Sequence, residues 1–199
     1  MAKRALAFHF TGVVQGVGFR PAIFRVAREC GLTGTVQNLG GTVEVIVEGD
    51  DRQLENFRSR LDKSLPQQAA VECIETRPQA VSGMTDFSII GSEAEQTQGV
   101  AIPPDLASCP DWLAEFEDPL DRRYQYPFTT CTNCGPRYTV VEAMPYDRER
   151  TTLKHFPLCS KCQAEYNNPG NRRFHAESTA CPECGPQLSL YDDEWNEIT

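Results

Sequence analysis

Hydrophobic and polar residues follow regular periods through residues 1–91 of the chain. Residues 4–11 alternate between apolar and polar character, which predicts a half-buried strand. Apolar residues then recur at helical spacing over residues 21–30, which predicts a helix that buries Cys30 and ends at Gly31. The chain therefore begins with a strand followed by a helix.

Further periodic segments complete this first region. Segments 35–39 and 42–48 read as strands, and the Gly40–Gly41 pair between them predicts a hairpin. The remaining predicted elements are a helix capped by Asp50 or Asp51, with the apolar stripe Leu54, Phe57 and Leu61, and strands at 71–77 and 86–90. The order predicts an α+β fold of the ferredoxin-like type (βαββαβ), with an antiparallel sheet and both helices on one face.

A glycine-rich stretch joins the first strand to the first helix. Residues 12–20 contain three glycines and end in Arg20, so backbone N–H groups can point inward as an anion-binding nest beside a guanidinium. In the predicted fold Asn38 lies next to this stretch, where its amide can orient a water molecule. The residues alone leave two interpretations open: a phosphate cradle, and a tight turn with a turn asparagine beside Gly40–Gly41.

Composition and charge narrow the class of protein. The 199 residues include 19 basic and 28 acidic side chains, and the net charge of −9 argues against nucleic-acid binding. No apolar run has the length of a membrane span and the N-terminus lacks a signal peptide, so we expect a cytoplasmic protein without membrane contact. The predicted organisation is a domain at 1–91, a polar linker at 92–104, a cysteine-rich module at 105–190 and an acidic tail at 191–199.

The cysteine-rich module repeats itself with a period of 50 residues. The segment at about 109–137 corresponds to 159–187, which predicts two copies of one structural unit. Arginine pairs at 122–123 and 172–173 also recur, and we expect them to offset thiolate charge rather than to bind phosphate. Two Cys-x-x-Cys pairs 18 residues apart predict a tetrahedral structural zinc site in the second copy. Its four ligands are Cys159, Cys162, Cys181 and Cys184.

The first copy has one cysteine fewer, because Trp112 stands where the second copy has a cysteine. Three alternatives stay open: a fourth ligand from elsewhere, with His155 and His175 as candidates; a weak zinc site with water in the open position; and no zinc, with Trp112 filling the space. Pairing with Cys159-x-x-Cys162 is disfavoured by the equal spacings of the two copies. Three cysteines without a nearby general base also argue against a catalytic zinc. The predicted ligands of this copy are Cys109, Cys131 and Cys134.

The first 91 residues resemble the acylphosphatase family. The resemblance rests on Val14–Pro21, Gly34–Asn38 and the strand at 41–45. It implies that Arg20 is the catalytic arginine, that Asn38 orients the attacking water, and that the activity is hydrolysis of acyl phosphates. The phosphate loop that it implies consists of Gln15, Gly16, Val17, Gly18, Phe19 and Arg20. An acyl phosphate has a good leaving group, so such an enzyme mainly needs positioning and charge stabilisation.

The repeats resemble the paired zinc fingers of the hydrogenase-maturation carbamoyltransferase family, in which an acylphosphatase domain precedes the fingers. Beyond the cysteines, the resemblance rests on Tyr126–Phe128, Pro145–Arg148 and Arg172–Ala176. It implies zinc as cofactor, carbamoyl phosphate as substrate, a hydrogenase-maturation partner protein, and a product that becomes the cyanide ligands of nickel–iron hydrogenases.

The domains that adenylate and transfer the carbamoyl group in that family are absent from these 199 residues. We therefore expect a fragment or a truncated product that hydrolyses an acyl phosphate. The alternative is a non-catalytic, zinc-stabilised interaction module of a maturation complex.

Overall fold

The computed structural model describes residues 3–93 and 101–198 of the chain. Its first region contains five strands and two helices, in the order β1 (Arg4–Val13), α1 (Phe19–Glu29), β2 (Thr33–Leu39), β3 (Thr42–Gly49), α2 (Asp51–Ser64), β4 (Ala70–Gln79) and β5 (Phe87–Ile89). The strands form one sheet in the order β4-β1-β3-β2-β5. β5 runs parallel to β2, whereas the other pairs are antiparallel. The ferredoxin-like prediction is confirmed.

Alternation along the strands supplies the core of this domain. The β3 valines, Val43, Val45 and Val47, are fully buried in one cluster with the apolar stripes of α1 and α2. Phe57 of α2 meets Phe8 of β1 edge-on, with ring centroids 5.7 Å apart. Burial of this apolar face, at about 25 cal/mol per Å², is the main force that holds the helices to the sheet.

The first helix begins two residues earlier than the sequence predicts. α1 starts at Phe19, and Gly18 is its N-cap residue with a φ of 77°. Pro21 lies in the first turn, where the missing backbone N–H removes no helical hydrogen bond. α2 begins as expected, since Asp50 accepts a hydrogen bond from the Gln53 N–H at 2.9 Å in a reciprocal capping box.

The second region contains little regular structure. Its two longer helices are α3 (Pro110–Glu117) and α4 (Ser160–Asn167), and single 3₁₀ turns lie at 148–150 and 152–155. A small hairpin of β6 (Leu190–Tyr191) and β7 (Glu197–Ile198) begins at the last residue of the predicted module and runs into the predicted acidic tail. Across the described ranges, no helix is both long and apolar enough to cross a bilayer.

The predicted linker at 92–104 is structured at both ends. The Glu93 N–H donates to the Asn38 carbonyl at 3.0 Å, so the chain continues along β2 beyond β5. Pro103 lies against the glycine-rich loop, where a Cβ added at Gly16 would be 2.7 Å from its Cγ. Residues 94–100 of the linker lie outside the described part of the chain.

Reciprocal ion pairs connect the two copies in the second region. The carboxylate of each helix pairs with the arginine pair of the other copy, and the two sets of contacts match at the 50-residue period. Arg122 also lies 3.2 Å from the Cys162 sulfur, a position from which its guanidinium would offset the charge of a thiolate. The exchanged pairs are Glu165 with Arg122 and Arg123, and Glu115 with Arg172 and Arg173.

Both copies contact the first domain. Phe174 packs on Phe24 of α1 with ring centroids 5.1 Å apart, and Arg25 donates to the Pro169 carbonyl at 3.0 Å. Arg137 of the first copy donates from Nε to the Gly16 carbonyl at 2.6 Å. The second region therefore covers the loop between β1 and α1.

Candidate functional site

The loop between β1 and α1 owes its shape to two glycines. Gly16 and Gly18 have φ values of 69° and 77°, in the left-handed region that side chains disfavour. The loop leads directly into α1, which has no side-chain N-cap and no acidic residue in its first turn. The positive end of the helix dipole is therefore available to an anion.

Asn38 reaches this loop from β2, as the sequence predicts. It is 1% exposed, and neither its Oδ1 nor its Nδ2 has a hydrogen-bond partner in residues 3–93 or 101–198. Gly16, Gly18, Arg20 and Asn38 line one cavity of about 20 Å³, which has room for about one water molecule. An unpaired buried amide costs about 1–3 kcal/mol per group, so a ligand or a water at this position would stabilise the site.

Arg20 is buried at the same cavity. Its Nη2 lies 2.8 Å from Glu177 Oε1 and 2.9 Å from Asp147 Oδ1, and its Nη1 donates to Ser92 Oγ at 3.2 Å. Burial disfavours the charged guanidinium, but the carboxylates of Glu177 and Asp147 outweigh that effect and raise the pKa of Arg20. The structure therefore brings Arg20 and Asn38 together, with the arginine charged.

The other loop residues contribute through the backbone. The side chains of Val17 and Phe19 are buried in the apolar core. The Gln15 amide donates to the carbonyls of Gly40 and Thr42, at 3.0 and 3.1 Å, and accepts from the Tyr146 N–H at 2.9 Å. Gln15 therefore fixes the loop between the hairpin and the second region.

Sequence reasoning missed the carboxylates at this site. Glu177 is 5% exposed, and its Oε2 accepts hydrogen bonds from the Tyr166 hydroxyl at 2.8 Å and the Arg148 N–H at 3.2 Å. Burial raises the pKa of Glu177, although Arg20 opposes this effect. The sequence offered one signal, a difference between the two copies: Glu177 stands where the first copy has Pro127.

His175 lies beside the same arginine. Its ring contacts Tyr166 with centroids 4.8 Å apart. Burial, followed by the charge of Arg20, lowers the pKa of His175 to about 4, while Asp147 opposes the shift. His175 is therefore neutral near neutral pH and packs as a polar wall of the cavity.

The cysteines gather within each copy rather than across the copies. In the second copy all four sulfurs lie within 4.8 Å of one another, and the Cys162–Cys184 and Cys181–Cys184 distances are 3.6 Å. A tetrahedral zinc with Zn–S bonds of about 2.3 Å places its sulfurs about 3.8 Å apart, so this cluster fits the ion. The cross-copy pairing weighed above is not found.

The first copy gathers three cysteines. The sulfur of Cys131 lies 3.9 Å from that of Cys109 and 3.7 Å from that of Cys134, which are also zinc-like spacings. No histidine or carboxylate from the described residues joins this cluster, so neither histidine candidate is a fourth ligand here. Trp112 stacks on Phe116 of the same helix, with centroids 4.8 Å apart.

Comparisons with known proteins give a consistent family assignment. The Acylphosphatase family model matches residues 6–89, and the HypF finger model matches residues 109–141 and 158–191. An acylphosphatase from Caldivirga maquilingensis is 43% identical over 81 residues, which cover 39% of this chain and 84% of that protein. The carbamoyltransferase HypF of Synechocystis sp. is 44% identical over 153 residues, covering 77% of this chain and 20% of that protein.

Solved structures agree over nearly the whole chain. A crystal structure of full-length HypF in its phosphate- and nucleotide-bound form superposes with a TM-score of 0.88 at 40% identity, covering 97% of this chain and 26% of that one. HypF of T. kodakarensis gives a TM-score of 0.86 at 46% identity, covering 98% and 24%. The chain spans about a fifth of the length of the curated HypF relatives that it matches. It belongs to the acylphosphatase family over its first domain and, with its HypF fingers, matches the N-terminal part of the HypF carbamoyltransferases.

Proposed function

We propose that the first domain hydrolyses acyl phosphates, and carbamoyl phosphate in particular, to the free acid and phosphate. The observation that carries this proposal is Asn38, a buried amide without a partner in the described residues, at a water-sized cavity shared with Arg20. The match of residues 6–89 to the Acylphosphatase family model supports an acyl phosphate as the substrate.

In the proposed reaction, loop N–H groups and Arg20 hold the phosphoryl oxygens. Asn38 aligns a water molecule, whose oxygen forms a new bond to phosphorus as the bond to the acyl oxygen breaks. The acyl oxygen leaves with the bonding electrons as a carboxylate or carbamate, and the water's proton passes to the phosphate. Donors that are aligned in advance stabilise the charge that moves during this exchange.

We further propose that the chain serves as the N-terminal part of a carbamoyltransferase in hydrogenase maturation. The names of the matched relatives support this role. Two observations favour the alternative of a non-catalytic interaction module: Arg20 is already paired with two carboxylates, and the cavity has a volume of only about 20 Å³. An assay of turnover separates these two functions.

We propose zinc as the ion of both cysteine clusters. The cluster of the second copy supplies a complete tetrahedral set. The three cysteines of the first copy leave one coordination position to an exchangeable ligand such as water, because the Trp112 side chain has no atom that binds zinc. Metal analysis of the purified chain should give two zinc ions per chain, one of which a mild chelator removes faster.

Phosphate release from carbamoyl phosphate tests the proposed hydrolysis. We expect Arg20→Ala and Asn38→Ala to lower turnover by about 100- to 1,000-fold each, since each removes an aligned donor. The matched controls Arg52→Ala and Asn56→Ala change exposed residues of α2 and should keep wild-type rates. Equal rates for Asn38→Ala and wild type would reject the proposal.

A further inference from the structure

We propose that Glu177 and Asp147, two carboxylates of the cysteine-rich region, select the acyl group of the substrate. They would accept hydrogen bonds from the amino group of a carbamoyl moiety. This inference rests on the proposed hydrolysis of acyl phosphates, and it assigns to the second region a share in the specificity of the first.

The position of the two carboxylates supports this role. A phosphoryl group bound to the loop and to Arg20 would direct its acyl substituent away from the loop, toward the region that covers it. Tyr146, Glu177 and Ser178 line that side of the small cavity. Glu177 and Arg20 also line a larger cleft of about 690 Å³, to which Asp147 contributes. The acyl group would therefore lie beside the two carboxylates, between the loop and the solvent of the cleft.

The two carboxylates have acceptor capacity to spare. A carboxylate offers about four acceptor positions. Glu177 uses three of them, for Arg20, the Tyr166 hydroxyl and the Arg148 N–H. Asp147 contacts Arg20 through Oδ1 and is partly exposed to the cleft, with 24% of its side chain accessible. Both can therefore accept a further N–H donor without losing Arg20.

The chemistry of the acyl groups makes this capacity selective. The carbamoyl group ends in NH₂, which donates two hydrogen bonds, whereas the acetyl group has a methyl of nearly the same size in that position. A methyl group would offer the two carboxylates no hydrogen-bond donor, and sites built around a substrate N–H discriminate strongly against analogues that lack it. The covered cavity also disfavours bulky aryl groups such as benzoyl.

The test compares carbamoyl phosphate with acetyl phosphate, with each enzymatic rate divided by the spontaneous rate of the same compound. In the wild-type chain we expect kcat/KM to favour carbamoyl phosphate by about ten- to a hundredfold. Glu177→Gln and Asp147→Asn should each lower this preference by about threefold or more. Glu149→Gln, in the same loop with an exposed side chain, should preserve it.

Three results would overturn the inference. The first is an equal preference in the wild type and both variants. The second is a faster turnover of both compounds in the variants with an unchanged ratio, which would mean that the carboxylates only compete with phosphate for Arg20. The third is the absence of any difference in binding, measured as the thermal shift that each compound produces. Thermal shift does not require turnover, so selective binding without hydrolysis would reject the proposed hydrolysis and retain the selection.

Variants that fail to fold are recognised by circular dichroism. Asp147→Asn provides the safer measurement, because its side chain is partly exposed and makes fewer contacts than that of Glu177. Loss of preference in Asp147→Asn with a native melting temperature supports the inference even if Glu177→Gln unfolds.

Discussion

The cores of the two regions are built mainly from different kinds of side chain. The first domain has an apolar core of sheet valines and aromatic rings. The second region buries arginines, a glutamate and thiols, including Arg123, Arg137, Arg173 and Glu177. Apolar burial is favourable by itself, whereas buried charges need partners or a metal. We therefore expect the first domain to keep its fold without metal and the second region to lose it.

Disruption of the second cysteine cluster should cause the largest loss of stability, and this loss should be confined to the second region. Cys181→Ser takes one of four ligands from the cluster, and structural zinc contributes on the order of 10 kcal/mol to the folding of small fingers. Both tryptophans of the chain, Trp112 and Trp195, lie in the second region, so the fluorescence transition should disappear while the far-ultraviolet signal of the sheet remains. Cys131→Ser should cost less, since its cluster gathers three cysteines where that of Cys181 gathers four. Equal losses in the two variants would contradict the difference between the copies.

Loss of an aromatic ring from the apolar core should cause the next largest loss of stability. Phe57→Ala should destabilise the first domain by about 3–5 kcal/mol, because Phe57 is fully buried against Phe8. Urea denaturation should show the same loss with and without a chelator. Leu113→Ala changes an exposed residue of the second region and should stay within about 0.5 kcal/mol of wild type. A chelator-dependent effect of Phe57→Ala would contradict independent stability of the domain.

The smallest of these losses of stability should come from His175 at acid pH. Its pKa is about 4 in the folded chain against 6.5 unfolded, because burial and Arg20 disfavour the imidazolium. The unfolded state therefore binds more protons below pH 6.5, and stability falls as the pH is lowered toward 4, by about 2 kcal/mol at pH 5. His175→Asn should flatten this slope.

The matched control for the histidine is Gln125→Asn. Gln125 is its counterpart in the first copy, with a φ of 54° against 51° for His175, and asparagine tolerates such values. This variant also places an asparagine at a left-handed backbone position, but it removes no titrating group. The dependence of its stability on pH should therefore equal that of wild type. A flat slope in wild type itself would contradict a half-buried, neutral histidine.

Local periodicity predicts most of the first domain, because the same residues that alternate also form the core. It fails for Glu48, which the alternation of β3 assigns to the outward side. Glu48 is 1% exposed, since its carboxylate accepts hydrogen bonds from the backbone of residues 82–84. Alternation identifies the face of a strand, but it does not reveal which loop covers that face.

The candidate site is predictable only in part for a similar reason. Arg20 and Asn38 belong to neighbouring elements of one small sheet, so the fold is sufficient to bring them together. Glu177 reaches Arg20 from 157 positions along the chain, and it lies in a region with little regular structure. No periodic pattern connects such distant residues, and only the departure of the second copy from the first marks Glu177 as unusual.

The crosswise ion pairs have a consequence for the minimal size of the paired fingers. Glu115 pairs with Arg173 while Glu165 pairs with Arg123, which is the reciprocal contact pattern of a two-fold symmetric homodimer. Each copy thus gives the other the same contact that it receives, as the two subunits of such a dimer do. A single finger cut out of the chain would carry a buried arginine without its carboxylate, so the smallest unit that can be transplanted is the pair.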